Sequence, residues 1–392
     1  MKKFWPFSFF FIFFASIATY APYMVPYFQS LNFNGSQIGL LTAVPPLIIL
    51  VSAPLWTKLA DQTNQHKLIM GMTLLLGMGG LFLFPQAKTF LAVLGVAILF
   101  NIFSAPILSF ANSATMVMLG DKKEKYGRLR LGGTIGFGIA AAIAGFLVED
   151  NGMKIVFWIA GGLYFIGFLI SLQLRYSETT HQPIVNDPQK PKQGISDLLK
   201  NPHWLFFLAI AFLGGLSMAA SNTYFFPFMK EIGATEATMG LTLTIGTIAE
   251  IPVLLFANVF IKRFKAYGVL ILSTAFTGAR FILFALAGDP ALVMIIQVLN
   301  GFTFPLLSVA GVSYADQNAP EALRATAQGL FNAALMGVGV AVGGFIGGLL
   351  LDKIGAQGLY MTMGITVLLG LAVVTFLHSK FSPEKLTPSH EN

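Results

Sequence analysis

Asn101-Ile102-Phe103-Ser104-Ala105-Pro106-Ile107-Leu108-Ser109-Phe110-Ala111 returns later in the chain as Asn300-Gly301-Phe302-Thr303-Phe304-Pro305-Leu306-Leu307-Ser308-Val309-Ala310. Asn, Phe, Pro, Leu, Ser and Ala recur at a single offset of 199 residues, with small or apolar residues between them. Two further sets fall close to that offset. Tyr23, Pro26, Gly39 and Leu40 recur as Tyr224, Pro227, Gly240 and Leu241, and Gly145 and Gly152 recur as Gly348 and Gly355. One match is ordinary chance, whereas three at nearly one spacing argue for a duplicated chain.

The halves lie in a membrane. The 392 residues are 55% hydrophobic and only 10% charged, and the mean hydropathy is +0.74. A soluble domain carries roughly a quarter charged residues. The 38 Phe and 40 Gly suit helices that meet lipid and one another closely. With no cysteine, disulfides, thiol nucleophiles and cysteine metal sites are excluded. The net charge of +7 points to topology rather than nucleic acid, because basic loops fix orientation in a bilayer. Met1-Lys2-Lys3 and the apolar run from Phe4 resemble a signal peptide, but the run passes Tyr20 to about Phe28 without a small-residue cleavage site. It reads as a retained first span.

A helix needs about 20 mainly apolar residues to cross the hydrocarbon core. Twelve stretches qualify, near 4–29, 36–60, 68–87, 89–118, 127–149, 153–175, 202–229, 236–261, 268–287, 290–315, 325–351 and 356–378. In this register 18 Lys and Arg fall on one side and 4, Lys88, Lys154, Lys230 and Lys353, on the other, with Arg130 and Arg280 inside spans. That asymmetry places both termini in the cytoplasm. Tyr176 to Asn201 holds three prolines and no apolar period, and reads as a cytoplasmic linker. The expected organisation is a six-helix bundle over 1–175, the linker 176–201, a second bundle over 202–378 and a cytoplasmic tail 379–392. The fold class is an all-α membrane protein of twelve transmembrane helices in two pseudo-symmetric bundles, with the solute site between them near mid-membrane.

Charges inside the spans are the candidate functional residues, because an ionisable group at the centre of a span costs about 2.5 to 3.5 kcal/mol on insertion scales. Arg130, in Tyr126-Gly127-Arg128-Leu129-Arg130-Leu131-Gly132-Gly133-Thr134, lies about a turn inside span 5. It either snorkels to the surface along its own stem or faces a central cavity with Thr134 one turn deeper on the same face. Its fork of donors suits a carboxylate or paired hydroxyls. Arg128, nearer the interface, reads as a topology charge. Glu250 lies about eleven residues from the cytoplasmic end of span 8, roughly 16 Å at the helical rise, which is too deep to snorkel. Arg280 on span 9 sits at similar depth, so the two are expected to pair, either structurally or as a coupling element that protonation loosens. Asn101 and Asn300 line the cavity or bond across helices. Tyr23 and Tyr224 contact solute or belong to an interfacial aromatic belt.

The whole chain resembles the major facilitator superfamily, and within it the branch of lactose permease, nucleoside:proton symporters and especially 3-phenylpropionate permease-like transporters. Tyr126 to Arg130 with the glycines that follow, Ala249-Glu250, Arg280 and Asn300-Gly301-Phe302-Thr303-Phe304 carry the resemblance. The superfamily's loop between spans 2 and 3 survives in degraded form from Leu59 to Lys67, where Asp61 and Lys67 match as gating-loop residues and Asn64 stands in the usual glycine position. The resemblance implies that Arg130 binds substrate together with an acid on span 4, whose place Asn112 occupies here. It implies that Glu250 and Arg280 belong to a proton-coupling cluster. The histidine or acid usual on span 10 is replaced by Asn300 and Thr303, which leaves Glu250 to carry coupling almost alone.

The expected activity is import of a small organic solute by proton-coupled alternating access in a bacterial inner membrane. An aromatic acid such as 3-phenylpropionate is placed first, then a sugar or nucleoside. An efflux antiporter or uncoupled uniporter is the alternative, and a non-transporting receptor or lipid-handling scaffold the second. Partners are the solute, protons and the bilayer, with no nucleic acid, and the chain is expected to be a monomer. No cofactor is implied. There is no P-loop, the five histidines lack metal-ligand spacing, and the sequence carries no enzyme signature.

Overall fold

The computed structural model describes residues 4–176, 195–320 and 323–381. The described residues form helices and their connecting turns, without strands. Among the described residues nine continuous helical stretches are long and apolar enough to span a membrane. Two of them contain a break, at Lys265 and at Gly355, and the shorter Ile155–Ser171 is a further apolar helix. Twelve spans result: α1 (Phe4–Ser30), α2 (Gly35–Thr63), α3 (His66–Gln86), α4 (Phe90–Leu119), α5 (Tyr126–Asn151), α6 (Ile155–Ser171), α7 (Pro202–Thr223, then Phe225–Glu231), α8 (236–264), α9 (266–286), α10 (Pro290–Asn318), α11 (324–354) and α12 (356–381). The expected linker falls mostly outside the described residues, apart from Tyr176 and a short helix, Ile195–Lys200, with Asn201 after it. The tail beyond Phe381 lies outside them as well.

Polar caps start the helices. Asn34 and Gln37 form a reciprocal capping box on α2, Thr89 caps α4, Thr235 caps α8 and Asp289 caps α10. Each satisfies amide hydrogens that a helix leaves without a partner.

The duplication is visible in the backbone. Asn64 and Lys265, 201 residues apart, have φ of 53° and 58° and join α2 to α3 and α8 to α9. Gly152 and Gly355, matched already by sequence, have φ of 78° and 72° and join α5 to α6 and α11 to α12. Glycine adopts such angles without strain, and asparagine, as at Asn64, tolerates the left-handed region. Interrupted helices repeat too. α1 narrows to a 3-10 turn at Ala21–Tyr23 and α7 breaks at Tyr224. α4 breaks at Ala105-Pro106, and α10 runs as 3-10 turns over Gln297–Phe302 before Pro305. A proline cannot bond the carbonyl four residues back. The carbonyl that Pro106 releases, that of Ile102, is taken by Ser52 Oγ at 2.8 Å and Trp56 Nε1 at 3.0 Å on α2.

α1–α6 form one bundle and α7–α12 the other, joined along two crossings, α5 on α8 and α2 on α11. Small residues make both possible. The α-carbon of Gly145 faces the Glu236 carbonyl, Gly240 faces Ala141, Gly39 faces Phe345, and Gly348 faces Gly35 and Gly39, each too close for a side chain. Polar links join the halves at the same end: Thr244 Oγ1 donates to the Gly138 carbonyl at 2.7 Å, and Thr42 Oγ1 lies 3.2 Å from the Tyr224 hydroxyl. The close approaches run from Gly35 and Gly145 down to Leu50 against Gly337 and Gly138 against Thr247. Below that level α2 exposes Val51, Leu55 and Leu59. The bundles are therefore shut together at the end remote from Phe4 and Phe381 and part toward the chain ends.

Candidate functional site

Four helices of the second bundle converge on a polar cluster. Glu250 stands at the middle of α8, Arg280 on α9, Ser221 on α7, and Asn300 in the 3-10 stretch of α10. Arg280 is 2% exposed, the largest fully buried side chain among the described residues. The expected direct pair between Glu250 and Arg280 is not formed. No ion pair within 4.0 Å joins them among the described residues, because the amide of Asn300 lies between.

Asn300 Nδ2 donates to Glu250 Oε1 at 2.7 Å, while its Oδ1 accepts from Arg280 Nη1. An amide is suited to this place, having two donors on one atom and an acceptor on the other. It turns its positive end to the acid and its negative end to the guanidinium. Arg280 Nη2 also donates to Ser221 Oγ at 2.9 Å, and Thr303 Oγ1 donates to the Asn300 carbonyl at 2.6 Å. The guanidinium lies 5.3 Å from the Phe284 ring, a contact that favours a cation. Its Nε has no hydrogen-bond partner among the described residues. A cavity of about 70 Å³ borders the cluster, lined by Glu250, Asn300, Thr303 and Ser221 together with Met218, Phe304 and Leu307. Burying two charges is tolerated when hydrogen bonds meet both, and Asn300 supplies one to each.

The first bundle holds a second cluster. The Tyr126 hydroxyl donates to Asn112 Oδ1 at 2.9 Å, and Arg130 interacts with that same hydroxyl. The Arg130 guanidinium stacks 4.0 Å from the Phe14 ring centre and 5.3 Å from Phe10 on α1. Gly133 leaves the room, since a Cβ there would come within 2.5 Å of Arg130 Nη1. Arg130 is half-buried between α1 and α5, whereas Arg128 is exposed. Thr134, also half-buried, lies one turn further along α5. Asn101 turns back on its own helix, donating from Nδ2 to the Ala97 carbonyl at 2.8 Å. The repeat thus places equivalent asparagines in α4 and α10, but only Asn300 has charges beside it to bridge.

Tyr23 and Tyr224 lie in the shut end of the molecule. Tyr224 is fully buried and donates to the Gly344 carbonyl, and the Tyr23 ring meets Phe226 across the halves at 4.8 Å between centres. Across the α2–α3 connection, Asp61 Oδ1 in the last turn of α2 is 2.8 Å from His66 Nε2 at the start of α3, and Lys67 beside it is exposed. Ser221 and Thr42 were not singled out as site residues by sequence reasoning. Ser221 precedes Asn222 on the residue stretch around Tyr224, so its polarity was visible, but its partner was not.

Residues 5–362 match the model of a protein family described as the MFS_1 like family. The chain is 26% identical to the uncharacterized transporter YwbF of Bacillus subtilis, over 88% of this chain and 86% of that one. It is 25% identical to a maltose permease of Geobacillus stearothermophilus, over 96% and 94%. Among solved structures, that of the nucleoside transporter NupG superposes with a TM-score of 0.82 at 20% identity, covering 96% of this chain and 99% of NupG, a likeness of fold.

Proposed function

The chain belongs to the MFS_1 like family, a multi-pass membrane transporter and not an enzyme, and from that premise we propose that it imports a small polar organic solute together with protons. The family assignment supports transport over the receptor and lipid-scaffold alternatives. The observation that carries proton coupling is the relay Glu250–Asn300–Arg280. An acid at the middle of a span, bonded through a neutral amide to a buried cation, changes its attraction for that cation when it takes a proton. Protonation of Glu250 weakens the Asn300 bond, because hydrogen bonds to ionised acceptors are the stronger ones. The relay then loosens, and α8, α9 and α10 are freed to shift against one another.

For the solute, a neutral polyhydroxylated molecule, a sugar or nucleoside, takes precedence over the aromatic acid expected from sequence. Around the cavity at Glu250 polar side chains, Ser221, Asn222, Asn300 and Thr303, stand beside apolar ones, Met218, Phe304 and Leu307, a mixed lining that suits the rings and hydroxyls of such a solute. Arg130 already has Tyr126, Phe10 and Phe14 around it. The maltose permease and NupG support the same order. With the termini in a bacterial cytoplasm, as the basic loops imply, the conformer is shut to the outside and open inward. Substrate contacts fall to Arg130, Asn112, Thr134, Asn101 and Asn300, and the outer closure to Tyr23 and Tyr224.

The test is flux in proteoliposomes with labelled uridine, maltose and 3-phenylpropionate. The expected result is counterflow of a neutral solute and its accumulation under an inward proton gradient, abolished by a protonophore. Accumulation of the aromatic acid alone overturns the solute order. Counterflow without gradient-driven accumulation overturns coupling.

A further inference from the structure

The two crossings that shut the outer end are related by the repeat but are not equally fastened. Gly145 and Gly348 hold equivalent places on α5 and α11, and one turn beyond each stands an acid, Glu149 and Asp352. Each acid approaches the start of a helix in the other bundle. Glu149 Oε2 accepts the backbone N–H of Ala237, in the first turn of α8, at 3.1 Å. Asp352 lies against Gly35 in the first turn of α2 but accepts no hydrogen bond from it among the described residues. The caps differ in kind. Asn34 and Gln37 close a reciprocal box on α2. On α8, Thr235 takes the Thr238 N–H, and the Ala237 N–H goes to Glu149.

We propose that Glu149 is a single-sided latch, fastening α5 of one bundle to the start of α8 in the other and holding the outer end shut. Its carboxylate meets the positive end of the α8 dipole and one of the amide hydrogens a helix start leaves unpaired. The latch exists only while α5 and α8 are in contact, so it stabilises one conformer of the cycle and not the other. Opening of the outer end must break it, whereas on the α2 side the link between the halves is the neutral hydroxyl pair Thr42–Tyr224, with no charge at a helix start. The inference rests on alternating access. It requires neither proton coupling nor a particular solute.

The chain has no cysteine, so spin labels attach only where cysteines are introduced. Lys88→Cys and Gly288→Cys place one label on the exposed outer loop of each bundle, and a Cβ at Gly288 meets open space. Their distance distribution, measured without solute, reads the state of the outer end. Glu149→Gln and Glu149→Ala should raise the separated population about two- to fivefold, the effect of one charge at a helix start. Glu149→Lys should raise it further, and Asp352→Asn should leave it unchanged. Equal effects of Glu149→Ala and Asp352→Asn, or no change with Glu149→Ala and Glu149→Lys, would overturn the latch. Because distances are read without flux, failure of the transport proposal would not produce either result.

Discussion

Asn300 occupies a place few residues can fill. It donates to an acid and accepts from a guanidinium at once. Asn300→Ala leaves both charged groups short of a partner, and an orphaned buried group costs about 1 to 3 kcal/mol, more when charged. We expect a clear fall in the melting temperature of the purified protein. Asn101→Ala, which breaks only a bond within its own helix, should cost less in the same assay, although the two positions are equivalent in the repeat. Equal losses would argue against the relay. In the first bundle, Arg130→Lys keeps the charge but loses the flat face that stacks on Phe14, and a guanidinium and an ammonium are not interchangeable at a stacked site. Solute affinity is expected to fall by more than the thermal stability does. Unchanged affinity would assign Arg130 to packing alone.

At the scale of the helix, the connectors and breaks decide where elements end. Gly355 has φ of 72° and faces the carboxylate of Glu231, which also caps the start of α12 through the Gln357 N–H at 3.3 Å. Gly355→Ala is expected to destabilise by about 1 to 3 kcal/mol, the range for a residue forced into glycine-only backbone geometry. Gly95→Ala, inside α4 with nothing within 4 Å of the added Cβ, should be neutral or slightly stabilising. Thermal melts of the two variants in one detergent check the contrast.

Across the whole molecule, the fold was legible because a bilayer leaves little choice. Backbone polar groups must be satisfied within helices, so apolar runs of spanning length expose the elements directly, and the recurrence of Asn101 to Ala111 as Asn300 to Ala310 exposed the two halves. The charged residues could be ranked by depth for the same reason. Their partners could not be read. Whether Glu250 meets Arg280 or Asn300 depends on how α8, α9 and α10 are rotated and where the 3-10 turns before Pro305 place the amide. Spacing along one helix does not specify the rotation of its neighbours. Glu149 was likewise an ordinary surface acid until α8 was brought beside it.

The most direct test of the central claim, that Glu250 couples solute movement to protons through Asn300 and Arg280, is transport by Glu250→Gln in proteoliposomes. Accumulation under a proton gradient and equilibrium exchange are measured on the same preparation. The account predicts that exchange survives and accumulation is lost. Accumulation at the wild-type level would contradict it.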